Sequence, residues 1–187
     1  MIRIALIITL LSLTKTLFSQ YTFSRSYDIA VEEGSTKLNR AWEGGLNYPI
    51  FSNIDFDNDG KIDLVAFDKS GKRLLLFNNN NLKFQPLNTN LILERWVLFR
   101  DFNCDGLEDI FTGTSGGIRV YKNTGNMSFI LEKSILQSKY NNFTSNLYVS
   151  NLDIPGIVDV DGDGDLDVLS FEINGTTVEY HENLSID

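Results

Sequence analysis

Asp, Asn and Gly recur in this chain at a spacing suited to holding a hard cation. Three nine-residue windows share the pattern D-x-[DN]-x-D-G-x-x-D. The first contains Asp55, Asp57, Asp59, Gly60 and Asp63; the second Asp101, Asn103, Asp105, Gly106 and Asp109; the third Asp159, Asp161, Asp163, Gly164 and Asp167. Calcium takes six to eight oxygen ligands at about 2.3–2.6 Å, and oxygen side chains at positions 1, 3 and 5 of a tight loop can point at one centre. Glycine at position 6 lets the backbone turn without a Cβ clash. The position-7 carbonyl, from Lys61, Leu107 or Asp165, is then a further ligand, and the position-9 carboxylate closes the shell. Without a cation, three or four carboxylates this close repel one another. Acidic surface turns draw on the same residue types, but three copies with one internal spacing favour metal. The expectation is one calcium ion per window, with these residues as ligands.

The rest of the composition agrees. The chain has 187 residues, 42% hydrophobic, with 16 Lys and Arg against 25 Asp and Glu and a net charge of −9. That is enough apolar residue for a core, and it excludes wholesale disorder. The windows hold four, four and five acids with Lys61 as their one base, so they total −12, and beyond residue 19 everything outside them sums to +1. The scaffold is near neutral and the acidity is local. Such a balance argues against nucleic acid or an anionic membrane as partner, since clustered Lys and Arg bind both. The single thiol, Cys104, excludes a disulfide framework and a Cys-based zinc site, and the single His181 excludes a His-rich one.

The first nineteen residues read as an address. Arg3 is a short basic start, residues 4–14 form an apolar run closed by Lys15, and Ser19 is a small residue before Gln20. This predicts a secretory signal peptide cleaved near Ser19, because the run is too short for a membrane span of about 20 residues. The mature chain is then expected to be secreted or at the cell surface, with residues 20–44 as a lead-in strand region.

Each window must be positioned by the elements around it. The runs Leu64–Phe67, Ile110–Thr112 and Val168–Phe171 follow the windows and are short and β-rich. An EF-hand would need a bidentate Glu at position 12 and flanking helices, whereas position 12 is Ala66, Thr112 and Ser170. Turns of small and polar residues come next, then second strands Leu74–Phe77, Ile118–Tyr121 and Thr177–Tyr180, each leading to an Asn: Asn78, Asn123 and Asn183. From the first Asp of each window to that Asn is 23, 22 and 24 residues. Another β-prone stretch precedes each window: Tyr48–Ile54, Trp96–Phe99 and Asn146–Val149, the last followed by Ile157 and Val158. Window-to-window intervals of 46 and 58 residues suit four-stranded propeller blades.

With their following hairpins, including Val120-Tyr121-Lys122-Asn123-Thr124-Gly125, these loops resemble FG-GAP/VCBS repeats, the units of integrin-α-type β-propellers. The resemblance covers residues 45–187, with blades around 45–90, 91–135 and 146–187. It implies an all-β fold of β-propeller blades, calcium in loops on one face, and a non-catalytic role in cell-surface adhesion or ligand binding, toward an extracellular protein or carbohydrate. It also carries the ligand assignment onto positions 1, 3, 5 and 9. Three blades cannot close the seven-bladed ring of that family, so an incomplete or open propeller is expected, its remaining blades coming from a longer chain or a partner chain.

No H-E-x-x-H helix or P-loop occurs, and an enzyme is not expected. The alternative is the non-catalytic propeller portion of a larger secreted polysaccharide-degrading enzyme. His181 is expected to be solvated or at a strand edge, Cys104 to be a tolerated small residue at position 4, and Trp42 and Trp96 to pack between blades.

Overall fold

The computed structural model describes residues 29–38, 45–79, 83–86, 91–126 and 128–184, with Phe23 and Ala41 as isolated positions. The expected signal peptide and Trp42 lie outside the described residues. The chain divides into two compact units, Met1–Gly45 and Leu46–Asp187. In the first unit, β1 (Val31–Glu33) pairs antiparallel with β2 (Thr36–Leu38), and Gly34 between them takes a φ of 64°, a region open to glycine without strain.

The second unit is built of antiparallel sheets, and no helix occurs among the described residues. Strands β3 (Pro49–Ile54), β4 (Asp63–Asp68), β5 (Arg73–Asn78) and β6 (Lys83–Pro86) form one four-stranded meander. Strands β7 (Val97–Arg100), β8 (Asp109–Thr114), β9 (Gly117–Asn123) and β10 (Phe129–Lys133) form a second. A separate hairpin follows, β11 (Gln137–Tyr140) with β12 (Phe143–Asn146), and then β13 (Gly156–Val158), β14 (Asp167–Phe171) and β15 (Val178–His181) form a three-stranded sheet. These all-β meanders are the expected propeller-like blades.

Period-2 alternation explains how the sheets stack. In the second sheet Val97, Phe99, Ile110 and Tyr121 turn toward the first sheet, where they meet Ile54, Phe56, Val65, Phe67, Leu74 and Leu76. The alternate residues Trp96, Phe111, Ile118 and Val120 turn the other way, onto Leu147, Val149, Ile157 and Val168. The central strand β8 is therefore buried on both faces, although only Ile110 and Phe111 of its six residues are large apolar ones. Full burial of a side chain such as Phe99 or Ile110 contributes about 1.5–3 kcal/mol. Trp96, fully buried, packs between the second and third sheets as its sequence context predicts.

One expected strand differs. Asn146–Val149 does not lead into the third window; Leu147 and Val149 fill the core without pairing as a strand, and the Leu147 N–H donates to the Leu136 carbonyl at 2.9 Å. The partner of β14 is β13 instead, with Val158 opposite Asp167. The reason is loop length. Ile54 lies opposite Asp63 and Arg100 opposite Asp109, so in all three repeats the window connects two strands whose ends lie directly opposite each other. Only the residues just before Asp159 can satisfy that register.

Candidate metal centre

The three windows are the β3–β4, β7–β8 and β13–β14 connections, and they share one backbone design. Position 4 takes a left-handed conformation in each, with φ of 60° at Asn58, 56° at Cys104 and 84° at Gly162. Position 6 does the same, at 83° for Gly60, 82° for Gly106 and 101° for Gly164. These two reversals curl the chain so that backbone N–H groups point inward, onto the first carboxylate. Asp55 accepts from the N–H of Asp59 at 3.0 Å and of Gly60 at 2.8 Å. Asp101 accepts from Asp105 at 3.1 Å and Gly106 at 2.8 Å, and Asp159 from Gly162 at 2.6 Å and Gly164 at 3.1 Å.

Positions 1, 3 and 9 converge. Asp55, Asp57 and Asp63 each offer a carboxylate oxygen within 4.8 Å of the other two, and so do Asp159, Asp161 and Asp167. That span is about twice a calcium–oxygen distance of 2.3–2.6 Å, so one ion fits among three such oxygens. Asp59 and Asp163, at position 5, do not join these clusters. Asp59 accepts the Lys61 N–H at 2.9 Å and Asp163 the Asp165 N–H at 3.1 Å, and Asp105 does the same for Leu107 at 3.0 Å. The expected position-7 residues thus meet position 5 through their N–H groups.

The second window gathers no three-acid cluster among the described residues, because Asn103 stands at position 3. Its amide Nδ2 donates to Asp105 at 3.0 Å, and the Lys122 ammonium lies 3.3 Å from the same carboxylate. The Leu107 N–H, Asn103 and Lys122 hold the Asp105 pKa below the usual carboxylate value, against a smaller upward push from burial. This loop already carries part of the positive charge that a metal would bring.

Position 9 has a role the sequence reading missed. Asp63, Asp109 and Asp167 are almost wholly buried, and each carboxylate bridges two backbone N–H groups. One donor is position 2 of its own loop: Phe56 at 3.3 Å, Phe102 at 2.9 Å, Val160 at 3.0 Å. The other lies at the end of the second strand of the hairpin or within two residues beyond it: Asn79 at 2.8 Å, Asn123 at 2.6 Å, Asn183 at 2.8 Å. The acid therefore pins the loop to the far end of the repeat. The Asn recurring at 78, 123 and 183 signals this contact in the second and third repeats, whereas in the first the donor is the next residue, Asn79. Burial raises the Asp109 pKa, the two N–H bonds lower it, and the charges of Asp105 and Asp101 add to the rise, leaving it above the ordinary value. At Asp167 burial also raises, but the Asn183 and Val160 N–H groups and the Tyr180 hydroxyl outweigh it and the pKa is lowered.

Side chains from the second strand close each loop. Asn78 Nδ2 donates to Asp57 at 2.5 Å, Lys122 pairs with Asp105, and the Tyr180 hydroxyl donates to Asp167 at 3.1 Å and Asp161 at 3.4 Å. Cys104 touches the neighbouring loop, its Sγ lying 3.8 Å from the Gly164 carbonyl. His181 meets one expectation, a strand edge, and departs from the other, solvation. It is on the edge strand β15, but its side chain is only 8% exposed, with Ser138 Oγ 2.8 Å from Nδ1 and Ser170 Oγ 3.3 Å from Nε2. Packing of the β11–β12 hairpin against the third sheet covers it.

Comparison with known families agrees with the repeat. Residues 101–170, from the first acid of the second window into β14, match the family described as FG-GAP-like repeat. No curated protein matches the chain.

Proposed function

From an FG-GAP-type repeat protein as premise, we propose an exported, non-catalytic binding module of the cell surface whose loops are held by calcium. The observation that carries this reading is the convergence of Asp55, Asp57 and Asp63, and again of Asp159, Asp161 and Asp167, onto spaces the size of one hard cation. The ion supplies charge at the mouth of each hairpin and offsets the repulsion among the acids, so its binding energy becomes folding energy. Export is supported by the N-terminal sequence, and surface binding or adhesion by the resemblance to integrin-α-type repeats. No described helix is long and apolar enough to cross a membrane. The third loop, with five acids, binds tightest, and the second, with Asn103 and Lys122 at its carboxylates, binds weakest.

Thermal melting with calcium and with chelator tests the reading. Extracellular calcium modules bind at about 10⁻⁴–10⁻³ M. At ten times Kd each site adds about 1.4 kcal/mol, roughly 4 kcal/mol for three sites. For a chain of this size that raises Tm by about 10 °C. A midpoint that ignores calcium would overturn it. Calorimetry on Asp57→Ala, Asn103→Ala and Asp161→Ala then tests the ranking.

A further inference from the structure

The second window-to-window interval exceeds the first, 58 residues against 46, and the added length holds the hairpin β11–β12, which has no counterpart among the described residues of the first repeat. Insertions of this kind in repeat folds tend to sit on a binding face. The register places Tyr140 opposite Phe143 and Ser138 opposite Ser145, all on one face of the hairpin. The Tyr140 and Phe143 rings stack with centroids 5.9 Å apart and planes at 24°. That face leans on the third sheet, where Ser138 meets His181 and the Tyr140 ring packs edge-on against it at 5.7 Å. Between hairpin and sheet lies a cavity of about 290 Å³ with Tyr140, Phe143, Tyr148 and Ile173 as apolar walls and Glu172 and Glu179 as its charges. No Lys or Arg is among the described residues lining it. Phe143 is 63% exposed at its rim. His181, the basic group nearest Glu179 at 3.5 Å, has its pKa lowered by burial, against an upward pull from Glu179. It is therefore neutral at pH 7.

Two carboxylates beside stacked aromatic rings are complementary to a cation on an apolar stem, through ion pairing and cation–π attraction. We propose that this groove binds a lysine or arginine side chain of a basic peptide, the stem lying along Tyr140 and Phe143 and the charged head reaching Glu172 and Glu179. A neutral sugar could use the rings, but it would leave both carboxylates without a matching charge.

The test is an NMR titration of the whole chain in saturating calcium with capped lysine and capped arginine. Capped norleucine, putrescine and cellobiose serve as comparators. The expected result is one saturating isotherm for the two cationic amino acids, with shifts at Tyr140, Phe143, Glu172 and Glu179, and no saturation with norleucine. Each of E172Q, E179Q and F143A weakens binding about two- to fivefold, with Tm unchanged because these side chains lie at the surface. Norleucine binding as well as lysine overturns the proposal, as does affinity that ignores E172Q and E179Q together. Cellobiose binding tighter than lysine assigns the groove to carbohydrate, and putrescine binding tighter than either amino acid assigns it to free amines; each overturns the peptide reading.

Discussion

Replacing Asp109 by Ala removes the acceptor of two backbone N–H groups, those of Phe102 and Asn123. Asp109 is 0% exposed, so water cannot take its place. A buried donor left unpaired costs about 1–3 kcal/mol, and two cost about 2–6 kcal/mol. Some of that is returned, because the variant no longer buries a carboxylate beside the charges of Asp101 and Asp105. The expected net loss is about 2–4 kcal/mol. Asp109→Asn keeps one acceptor oxygen and turns an NH₂ group toward the other donor, for an expected loss of about 1–3 kcal/mol. Urea unfolding in chelator and in saturating calcium separates the two roles of this acid, provided the m-values agree. A strand-pinning acid loses its stabilisation with or without the ion; an acid that only binds metal loses it in calcium alone. Asp101→Ala is the control, since its N–H partners are exposed, and it should lose under about 1 kcal/mol in chelator. A loss below about 0.5 kcal/mol for Asp109→Ala in chelator refutes the pinning role.

Three further outcomes follow from local geometry. Cys104 occupies a left-handed position that Asn58 and Gly162 fill in the sister loops, so Cys104→Asn should stabilise the chain by about 0.5–1 kcal/mol in chemical denaturation. A Cβ on Gly113 would lie 2.6 Å from Trp96 Nε1 and 3.1 Å from Arg95 Cβ. Gly113→Ala should therefore destabilise by about 1–3 kcal/mol and shift the Trp96 fluorescence. His181 is neutral in the fold, its pKa pushed below 6.5 by burial despite Glu179, with Ser138, Ser170 and the Tyr140 ring as its other neighbours. As pH falls below 6.5 the unfolded chain takes up a proton that the folded chain resists, so stability falls by up to about 1.4 kcal/mol per pH unit until the lowered folded value is reached. His181→Gln should flatten that slope in a pH series of urea melts.

What could be read from the sequence was whatever a short stretch of chain decides. The strands after each window, the turns, and the Gly at position 6 follow from composition and spacing, and Ile110-Phe111 or Val168-Leu169 need no distant partner to be recognised as strand. Position 9 was recognised as an acid of the site, but its partners Asn79, Asn123 and Asn183 lie 14 to 16 residues away, and spacing alone does not reveal which N–H groups fold back onto it. The hairpin β11–β12 was missed because its strands are polar and four residues each. Its burial of His181 depends on tertiary docking. Asn146–Val149 misled for a related reason. Its alternation correctly marks Leu147 and Val149 as inward-facing, but an inward face is not a ladder partner.

The three windows share a spacing and differ in the acids they present to a metal and in the packing beneath them. The second has the fewest free acids for an ion, with Asn103 at position 3 and Lys122 on Asp105. Yet it joins β7 to β8 in the sheet that is covered on both faces, by the first core through Phe99 and Ile110 and by the second through Trp96 and Phe111. Its strands are fixed by packing, so its loop can rely on a protein cation. Beyond the third window the support is thinner. Val168 faces the second core, but Phe171 and Val178 remain 45% and 59% exposed. A sheet with less apolar burial gains proportionately more from an ion at its mouth, and that window carries the most acids. In a hydrogen-exchange series against calcium, protection should therefore rise most in β13 and β14 and least in β7 and β8. Equal gains in both sheets would show that the charge of the loops, and not the packing beneath them, sets where calcium acts.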